Sequence, residues 1–167
     1  MKALEDTLRV LDLAALDRAA NALLAARRVD VYGSGGGAVA ALELQYKLLR
    51  MGVRALPLTD AQMQALSAAL LTPADVAIGI SHSGTAADVR HALAAAKQAG
   101  ARTIAMTNHP ASPIARLADI SLCTAAQEAT GRNYPLGARV AQLGLIDVLY
   151  MCLSLKQGTV AEERGAA

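Results

Sequence analysis

The sequence of 167 residues contains no Phe and no Trp, and its four Tyr are its only large aromatic residues. Large rings therefore cannot fill a core, although hydrophobic residues make up 54% of the chain. Ala, Leu, Val and Ile have to supply the buried surface, and Ala lets helices pack closely on a sheet. A chain of this length is expected to form one domain with a sizeable core.

A strong charge of either sign is also lacking. The 16 Lys and Arg nearly balance the 14 Asp and Glu, which leaves a formal net charge of +2. The basic residues are scattered, without the run of about five to eight that marks a nucleic-acid patch. The sequence therefore shows no nucleic-acid-binding surface of its own.

Cysteine is scarce, and long hydrophobic runs are missing. Cys123 and Cys152 lack the spacing of metal ligands, which favours the buried reduced thiols of a cytosolic protein. No stretch approaches the roughly 18 apolar residues of a membrane span, and the amphipathic, acidic N-terminus differs from a signal peptide. We expect a cytoplasmic protein without a membrane segment.

From residue 29 onward, short apolar segments alternate with helical periodicity. The predicted strands are Val29–Tyr32, Val53–Leu58, Val76–Ile80, Thr103–Thr107 and Ile120–Cys123. Helices are predicted between the strands. Two further helices are predicted before and after them, at 2–27 with a break capped by Asp12, and at about 138–155. The alternation predicts an α/β fold: a five-stranded parallel sheet in the flavodoxin-like order 2-1-3-4-5, covered on both faces as a three-layer α/β/α sandwich. Ligands bind such sheets beyond the carboxyl ends of the strands.

The loop after the third strand reads Ser81-His82-Ser83-Gly84-Thr85 and leads into a helix. Free N–H groups and the helix dipole favour an anion there, and Ser81, Ser83 and Thr85 add uncharged hydroxyl donors. This set, with the Gly84 amide, predicts a site for a reversibly held phosphate monoester. One alternative is helix capping by a single hydroxyl. A hydrolase elbow is disfavoured, because Gly79-Ile80-Ser81-His82-Ser83 lacks its final Gly.

The loop after the first strand reads Gly33-Ser34-Gly35-Gly36-Gly37, and the amides of Gly35, Gly36 and Gly37 are predicted to share the anion. The pattern Gly33-x-Gly35-x-x-Ala38 also matches a dinucleotide-binding fingerprint. That alternative requires an acidic residue at the end of the second strand, but Asp60 comes late and is predicted to cap the next helix. We expect no cofactor.

Several segments together resemble the sugar isomerase (SIS) domain, most of all the effector domain of RpiR-type bacterial transcription regulators. They are Ala3–Leu8, Tyr46–Gly52, Leu58–Asp60, Leu71–Ile78, Ile80–Gly84, Ser112–Ala115, Ala118–Asp119, Arg139–Leu143 and Ile146–Leu149. The resemblance implies a phosphosugar-sensing domain at 29–157 and a linker or dimerisation helix at 1–28, and the polar residues at 158–167 predict a frayed tail. It also implies that DNA binding belongs to a separate N-terminal helix-turn-helix domain absent from this chain. The apolar first and last helices predict a homo-oligomer.

Three positions depart from the pattern that the resemblance implies. Gly37 stands where Ser is usual, Ala86 where Thr is usual, and Ala138 where Ser commonly precedes the Arg of the last helix. Each lost hydrogen bond to a charged group costs about 1.5–3 kcal/mol if nothing replaces it. We therefore expect either a different ligand or a weaker site.

Two residues of the loop at 126–135 bear on whether the protein is an enzyme. Glu128 matches a position where the related regulators tend to have Glu, and Arg132 follows it. Glu128 is predicted to bind sugar hydroxyls or, in an isomerase, to act as the catalytic base. The histidines do not complete a catalytic set, so a sensor is favoured, with a stand-alone phosphosugar aldose–ketose isomerase as the alternative. No metal site is predicted.

Overall fold

The computed structural model describes residues 2–127 and 136–165. In chain order, the elements are α1 (Lys2–Val10), α2 (Leu13–Ala25), β1 (Val29–Gly33), α3 (Gly36–Arg50), β2 (Ala55–Leu58), α4 (Ala61–Ala68), β3 (Val76–Ile80), α5 (Ala87–Gln98), β4 (Arg102–Thr107), α6 (Pro113–Leu117), β5 (Ile120–Cys123) and α7 (Leu136–Gly165). Strands and helices alternate from β1 onward, as the sequence predicts.

The five strands form one parallel sheet in the order β2-β1-β3-β4-β5. The predicted fold class and strand order are therefore confirmed. The chain first builds outward from β1 to β2, then returns to the other side of β1 and continues through β3, β4 and β5. The strand order thus reverses between β1 and β3, and ligands of such sheets bind at that reversal.

The two faces of the sheet carry separate hydrophobic clusters. Side chains alternate along a strand, so Val29 and Val31 pack with α2, α3 and α7, while Tyr32 packs with α4, α5 and α6. Many helix residues in both clusters are Ala, as expected for a chain without Phe or Trp. Cys123 and Cys152, predicted to be buried, are half-buried free thiols, and burial raises the pKa of Cys123.

Asp residues begin two of the helices as the sequence predicts. Asp12 accepts a hydrogen bond from the Ala15 N–H at 3.0 Å at the start of α2. Asp60 accepts one from the Met63 N–H at 3.0 Å at the start of α4. Because Asp60 is used as a helix cap, the dinucleotide alternative lacks the ribose-binding carboxylate that it requires.

β2 begins two residues later than predicted. Gly52 ends α3 with a φ of +75°, and its N–H donates to the Leu49 carbonyl. The Val53 N–H donates to the Leu48 carbonyl in the same helix end. This pair of bonds is a Schellman motif, which uses the Val53 amide for α3 and removes it from the strand.

α7 is longer than the predicted helix, because it continues through the segment expected to be a frayed polar tail as far as Gly165. Gly137–Gly158, with a mean hydropathy of 1.4, is long and apolar enough to cross a membrane by length and composition. The sequence-based statement that no stretch reaches this length is therefore wrong. Leu145, Ile146 and Leu149 are buried in the core on one face of the sheet, whereas Val140, Met151 and Leu155 are more than half exposed.

Candidate functional site

The carboxyl ends of β1 and β3 lie next to each other in the middle of the sheet, where Gly33 pairs with Ile80. β1 is followed by a loop that leads into α3, and β3 by a loop that leads into α5. The two loops predicted to bind an anion are therefore neighbours. They meet where the strand order reverses.

A cavity of about 370 Å³ lies between these two loops and the start of α7. It is lined by Ser34, Gly36, Gly37, Ile80, Ser81, His82, Ser83, Ala86, Ala138, Arg139 and Gln142. Its volume falls in the range of roughly 300–1,000 Å³ typical of small-molecule sites. Of the predicted site residues, Gly36, Gly37, Ser81 and Ser83 line the cavity, whereas Gly35, Gly84 and Thr85 do not.

A larger depression of about 570 Å³ lies between α1 and the segment after β5. Lys2, Asp6 and Arg9 contribute to its wall, and Asp6 pairs with Arg9 at 3.7 Å. It contains neither the glycine-rich loop nor the hydroxyl-rich loop, so we take the smaller cavity as the candidate site.

Two hydroxyl groups of the loop after β3 are exposed and close together. Ser83 Oγ and Thr85 Oγ1 lie 2.8 Å apart, and Ser83 Oγ also accepts the Thr85 N–H at 3.3 Å. Ala86 occupies the N-cap position of α5 and makes no side-chain cap hydrogen bond. Helix capping therefore does not explain the hydroxyls of this loop.

Gly84 shapes the loop after β3. Its φ is +69°, and a side chain there would collide with Ser112. Its N–H donates at 3.1 Å both to the Ser81 carbonyl and to the buried Ser81 Oγ. Donation by the Gly84 amide to a phosphate stays a prediction, and it would compete with these two bonds.

The glycine-rich loop after β1 approaches β3 very closely. A Cβ at Gly37 would lie 2.7 Å from the Ile80 carbonyl oxygen, so a side chain at this position requires the backbone to shift. The Gly37 N–H donates to the Ser34 carbonyl at 2.9 Å, so its predicted donation to an anion would compete with this bond. Gly36, the first residue of α3, keeps its N–H at the helix N-terminus, where the helix dipole favours an anion.

The first turns of α7 supply two polar residues that the sequence analysis did not single out. Arg139 Nη2 lies 3.7 Å from the place that a Cβ on Gly36 would occupy, so the guanidinium lies near the start of α3. Gln142 is 3% exposed and lines the cavity one turn further along α7. Their spacing of three residues places both on one helix face, but only the fold shows that this face meets the loop after β1.

Glu128 and Arg132 lie outside the described residues. The segment that leads to them is held by Asn108, which follows β4. Asn108 Oδ1 accepts the Ala126 N–H at 2.6 Å, and its Nδ2 donates to the Ala126 carbonyl at 3.2 Å. The chain therefore enters the loop at 126–135 from a fixed position at the carboxyl edge of the sheet.

The family of the chain follows from the match of residues 22–152 to the model of the SIS domain. The chain belongs to the SIS domain family. The transcriptional regulator RpiR of Escherichia coli K12 is 38% identical to this SIS domain over 157 residues, which cover 91% of this chain and 52% of the regulator. The chain spans about half the length of the curated relatives it matches.

Two solved structures are similar to this SIS domain along nearly its whole length. One is the sugar isomerase domain of an RpiR transcription factor from Sphaerobacter thermophilus, with a TM-score of 0.86 and 28% identity, covering 99% of this chain and 92% of that chain. The other is the NanR protein of Vibrio vulnificus complexed with ManNAc-6P, with a TM-score of 0.88 and 26% identity, covering 99% of this chain and 64% of that chain. The predicted resemblance to RpiR-type regulators is confirmed.

The three positions at which the sequence resemblance implies a hydroxyl that this chain lacks all line the candidate cavity. Gly37 is held against the Ile80 carbonyl, Ala86 is the N-cap of α5 without a side-chain cap bond, and Ala138 is 3% exposed. The three expected departures are thus concentrated in one place.

The cavity is suited electrostatically to an anion. It combines the N-terminus of α3 with the Arg139 guanidinium, and none of its lining side chains in the described part of the chain is a carboxylate. Within residues 2–127 and 136–165, no group of three His, Cys, Asp or Glu side chains is placed to hold a metal ion.

Proposed function

We propose that this SIS domain binds a sugar phosphate reversibly and acts as the effector-sensing domain of an RpiR-like transcriptional regulator. The observation that carries the proposal is the cavity at the ends of β1 and β3, which gathers hydroxyl groups, a helix N-terminus and a guanidinium. The similarity to NanR, solved with ManNAc-6P, supports the same ligand class.

The phosphate group would lie between the two loops. The Ser81 and Ser83 hydroxyls line the cavity and would donate to phosphate oxygens, with Thr85 beside Ser83 as a further donor. The Gly36 amide and the Arg139 guanidinium would add charge complementarity at the start of α3. Uncharged donors outnumber the single cation in this set, which suits a ligand that has to be released.

The sugar would extend towards the loop at 126–135. We propose that Glu128 accepts hydrogen bonds from sugar hydroxyls and that Arg132 lies at the same end of the ligand. The support is the hydrogen bonding of Asn108 to Ala126, which fixes the start of that loop at the carboxyl edge of the sheet.

An aldose–ketose isomerase is the second candidate. Isomerisation requires a base beside the sugar carbons, and in the described residues the cavity presents no carboxylate for that role. Glu128 would have to supply it. An isomerase predicts turnover of a sugar phosphate that collapses in Glu128→Gln, whereas a sensor predicts binding without turnover in both proteins.

We also propose that the protein forms a homo-oligomer. Val39, Leu42, Tyr46 and Leu49 are 40–53% exposed and lie at helical spacing along α3, and apolar residues of α1 and α7 are exposed as well. Such faces support a homo-oligomer, which light scattering of the purified chain would measure. DNA binding would require a separate domain, and the cytoplasm is the compartment in which a regulator meets DNA.

A thermal-shift screen tests the proposed function. The panel contains sugar phosphates, among them ManNAc-6P, together with their unphosphorylated sugars and inorganic phosphate. We expect at least one sugar phosphate, but not its unphosphorylated form, to raise the melting temperature of the parent protein. Ser83→Ala should weaken that ligand about tenfold, because one hydrogen bond to a charged group is lost.

Thr59→Ala is the matched control, because it removes an exposed hydroxyl outside the cavity. Its ligand affinity should equal that of the parent. Equal stabilisation of the parent and Ser83→Ala would show that the phosphate site is wrong. No stabilisation by any sugar phosphate would refute the proposed function.

A further inference from the structure

Two buried glutamines in this domain differ in their hydrogen bonding. Gln64 of α4 is fully buried, and its Nε2 donates to the Leu58 carbonyl at 2.9 Å. Gln142 of α7 is 3% exposed as a residue and lines the candidate cavity, and its amide makes no hydrogen bond to another described residue. The fold uses the Nε2 of Gln64 and leaves its Oε1 buried without a partner, whereas it uses neither polar atom of Gln142.

The amide of Gln142 is not among the buried polar atoms that lack a partner within residues 2–127 and 136–165, so it is open to the cavity and can bond to water there. A ligand that fills the cavity displaces this water, and the amide then needs a partner on the ligand. The donor and the acceptor of Gln142 are therefore both available to a ligand.

The position of Gln142 on α7 indicates which part of a ligand it would meet. Arg139 lies near the start of α3, where the phosphate group is proposed to bind. Gln142 is three residues further along the helix, about 4.5 Å along its axis, and is more deeply buried. Ala138, one turn before Gln142 on the same face, leaves space between the helix and the loops.

We propose that Gln142 determines ligand specificity by hydrogen bonding to the hydroxyl groups of the sugar, while the phosphate is held by the loops and by Arg139. The amide donates through Nε2 and accepts through Oε1, so it matches two hydroxyls on neighbouring carbons. This inference rests on the proposed function, since it assigns a role within the same cavity.

The test compares Gln142→Met with Gln64→Met, each by melting temperature without ligand and by titration with ManNAc-6P and with inorganic phosphate. Gln142→Met should melt at the same temperature as the parent or higher, bind ManNAc-6P at least tenfold more weakly, and keep its affinity for inorganic phosphate within about twofold. Gln64→Met changes a buried glutamine outside the cavity and should keep both affinities.

Three results would overturn the proposal. A melting temperature of Gln142→Met several degrees below that of the parent would show a structural role. Unchanged affinity of Gln142→Met for ManNAc-6P, with binding intact in the parent, would refute the specificity role alone. Absence of binding of ManNAc-6P and of inorganic phosphate to the parent would refute the phosphate site and this inference together.

Discussion

The two edges of the sheet satisfy their polar groups in different ways. At the edge where strands begin, Asp75 accepts two hydrogen bonds from Arg27, at 3.0 and 2.9 Å, and two from Thr72, both at 2.8 Å. Asp30 is fully buried at the same edge and pairs with Arg28 at 3.0 Å. At the edge where strands end, the described cavity wall carries hydroxyls, glycine backbone, one imidazole, one amide and one guanidinium, and no carboxylate.

This difference follows from a sheet in which all strands are parallel, because every strand begins at one edge and ends at the other. The first edge pairs its charges internally and contributes to the stability of the fold. The second edge keeps donors that a ligand can use. Substitutions at the first edge should therefore change stability without changing ligand affinity, and substitutions in the cavity should change ligand affinity.

The largest expected effect is that of Asp75→Ala. The free energy of unfolding should fall by about 3 kcal/mol, which is the lower end of the cost of breaking a buried ion pair. The lower end applies because the Arg27 side chain is more than half exposed and can bond to water once Asp75 is removed. Urea denaturation measures the change. Asp17→Ala, which breaks the exposed pair with Lys156, is the control and should lose far less. A loss of sugar phosphate affinity in folded Asp75→Ala would contradict the separation of the two edges.

Acid should destabilise the protein through the same carboxyl group. Hydrogen bonding to Arg27 lowers the pKa of Asp75 from 3.8 to about 2 in the folded protein. The unfolded chain therefore binds a proton at Asp75 more readily, so this contribution to stability is complete above the unfolded pKa and is lost as the pH falls towards 2. The parent should lose about 2 kcal/mol by this route. Asp75→Ala should lack that component of the pH dependence. If the free energy of unfolding falls equally steeply with pH in both proteins, the role of Asp75 in acid destabilisation is refuted.

Gly37→Ser introduces the serine that the sequence resemblance implies, at a place where this backbone has no room. The added Cβ would lie 2.7 Å from the Ile80 carbonyl oxygen, so the loop after β1 has to move. We expect the free energy of unfolding to fall by about 1–2 kcal/mol. Ala138→Ser, which restores the other missing serine, serves as the comparison in the same urea titrations. A fully stable Gly37→Ser would show that the two loops can separate without cost.

Ala86→Thr should have the smallest effect and the opposite sign. Ala86 is the N-cap of α5, with φ −55° and ψ 117°, and a Thr hydroxyl there can accept an N–H of the first helical turn. The free energy of unfolding should rise by up to about 1 kcal/mol. Ala87→Thr, one residue inside the helix, should give no gain. Equal stabilities of Ala86→Thr and the parent would show that the N–H groups in the first turn of α5 already have other partners.

The fold was predictable because its signals are local. Apolar segments of four to six residues alternate with helices, and Asp12 and Asp60 mark helix starts that the structure confirms. The hydroxyls of Ser81 and Ser83 were also predictable, because the loop that follows a central parallel strand has to lie at the carboxyl edge.

The rest of the candidate site depends on contacts between distant parts of the chain. Arg139 and Gln142 reach the cavity only because α7 packs against α3, and a sequence pattern reports the apolar face of a helix, not where that helix lies. The amides of Gly37 and Gly84 depend on detail of the same kind. A glycine-rich loop indicates a turn, but not which of its N–H groups bond within that turn.

The most direct test of a phosphosugar site at the ends of β1 and β3 is a titration of the nitrogen-15-labelled protein with ManNAc-6P, followed by backbone amide chemical shifts. Saturable shifts are expected at Gly36, Gly37 and Ser83. Gly52 and Gly100, which follow the ends of α3 and α5 at the opposite edge of the sheet, should not shift. Saturable shifts at Gly52 and Gly100 without shifts at Gly36 and Ser83 would contradict this assignment of the site.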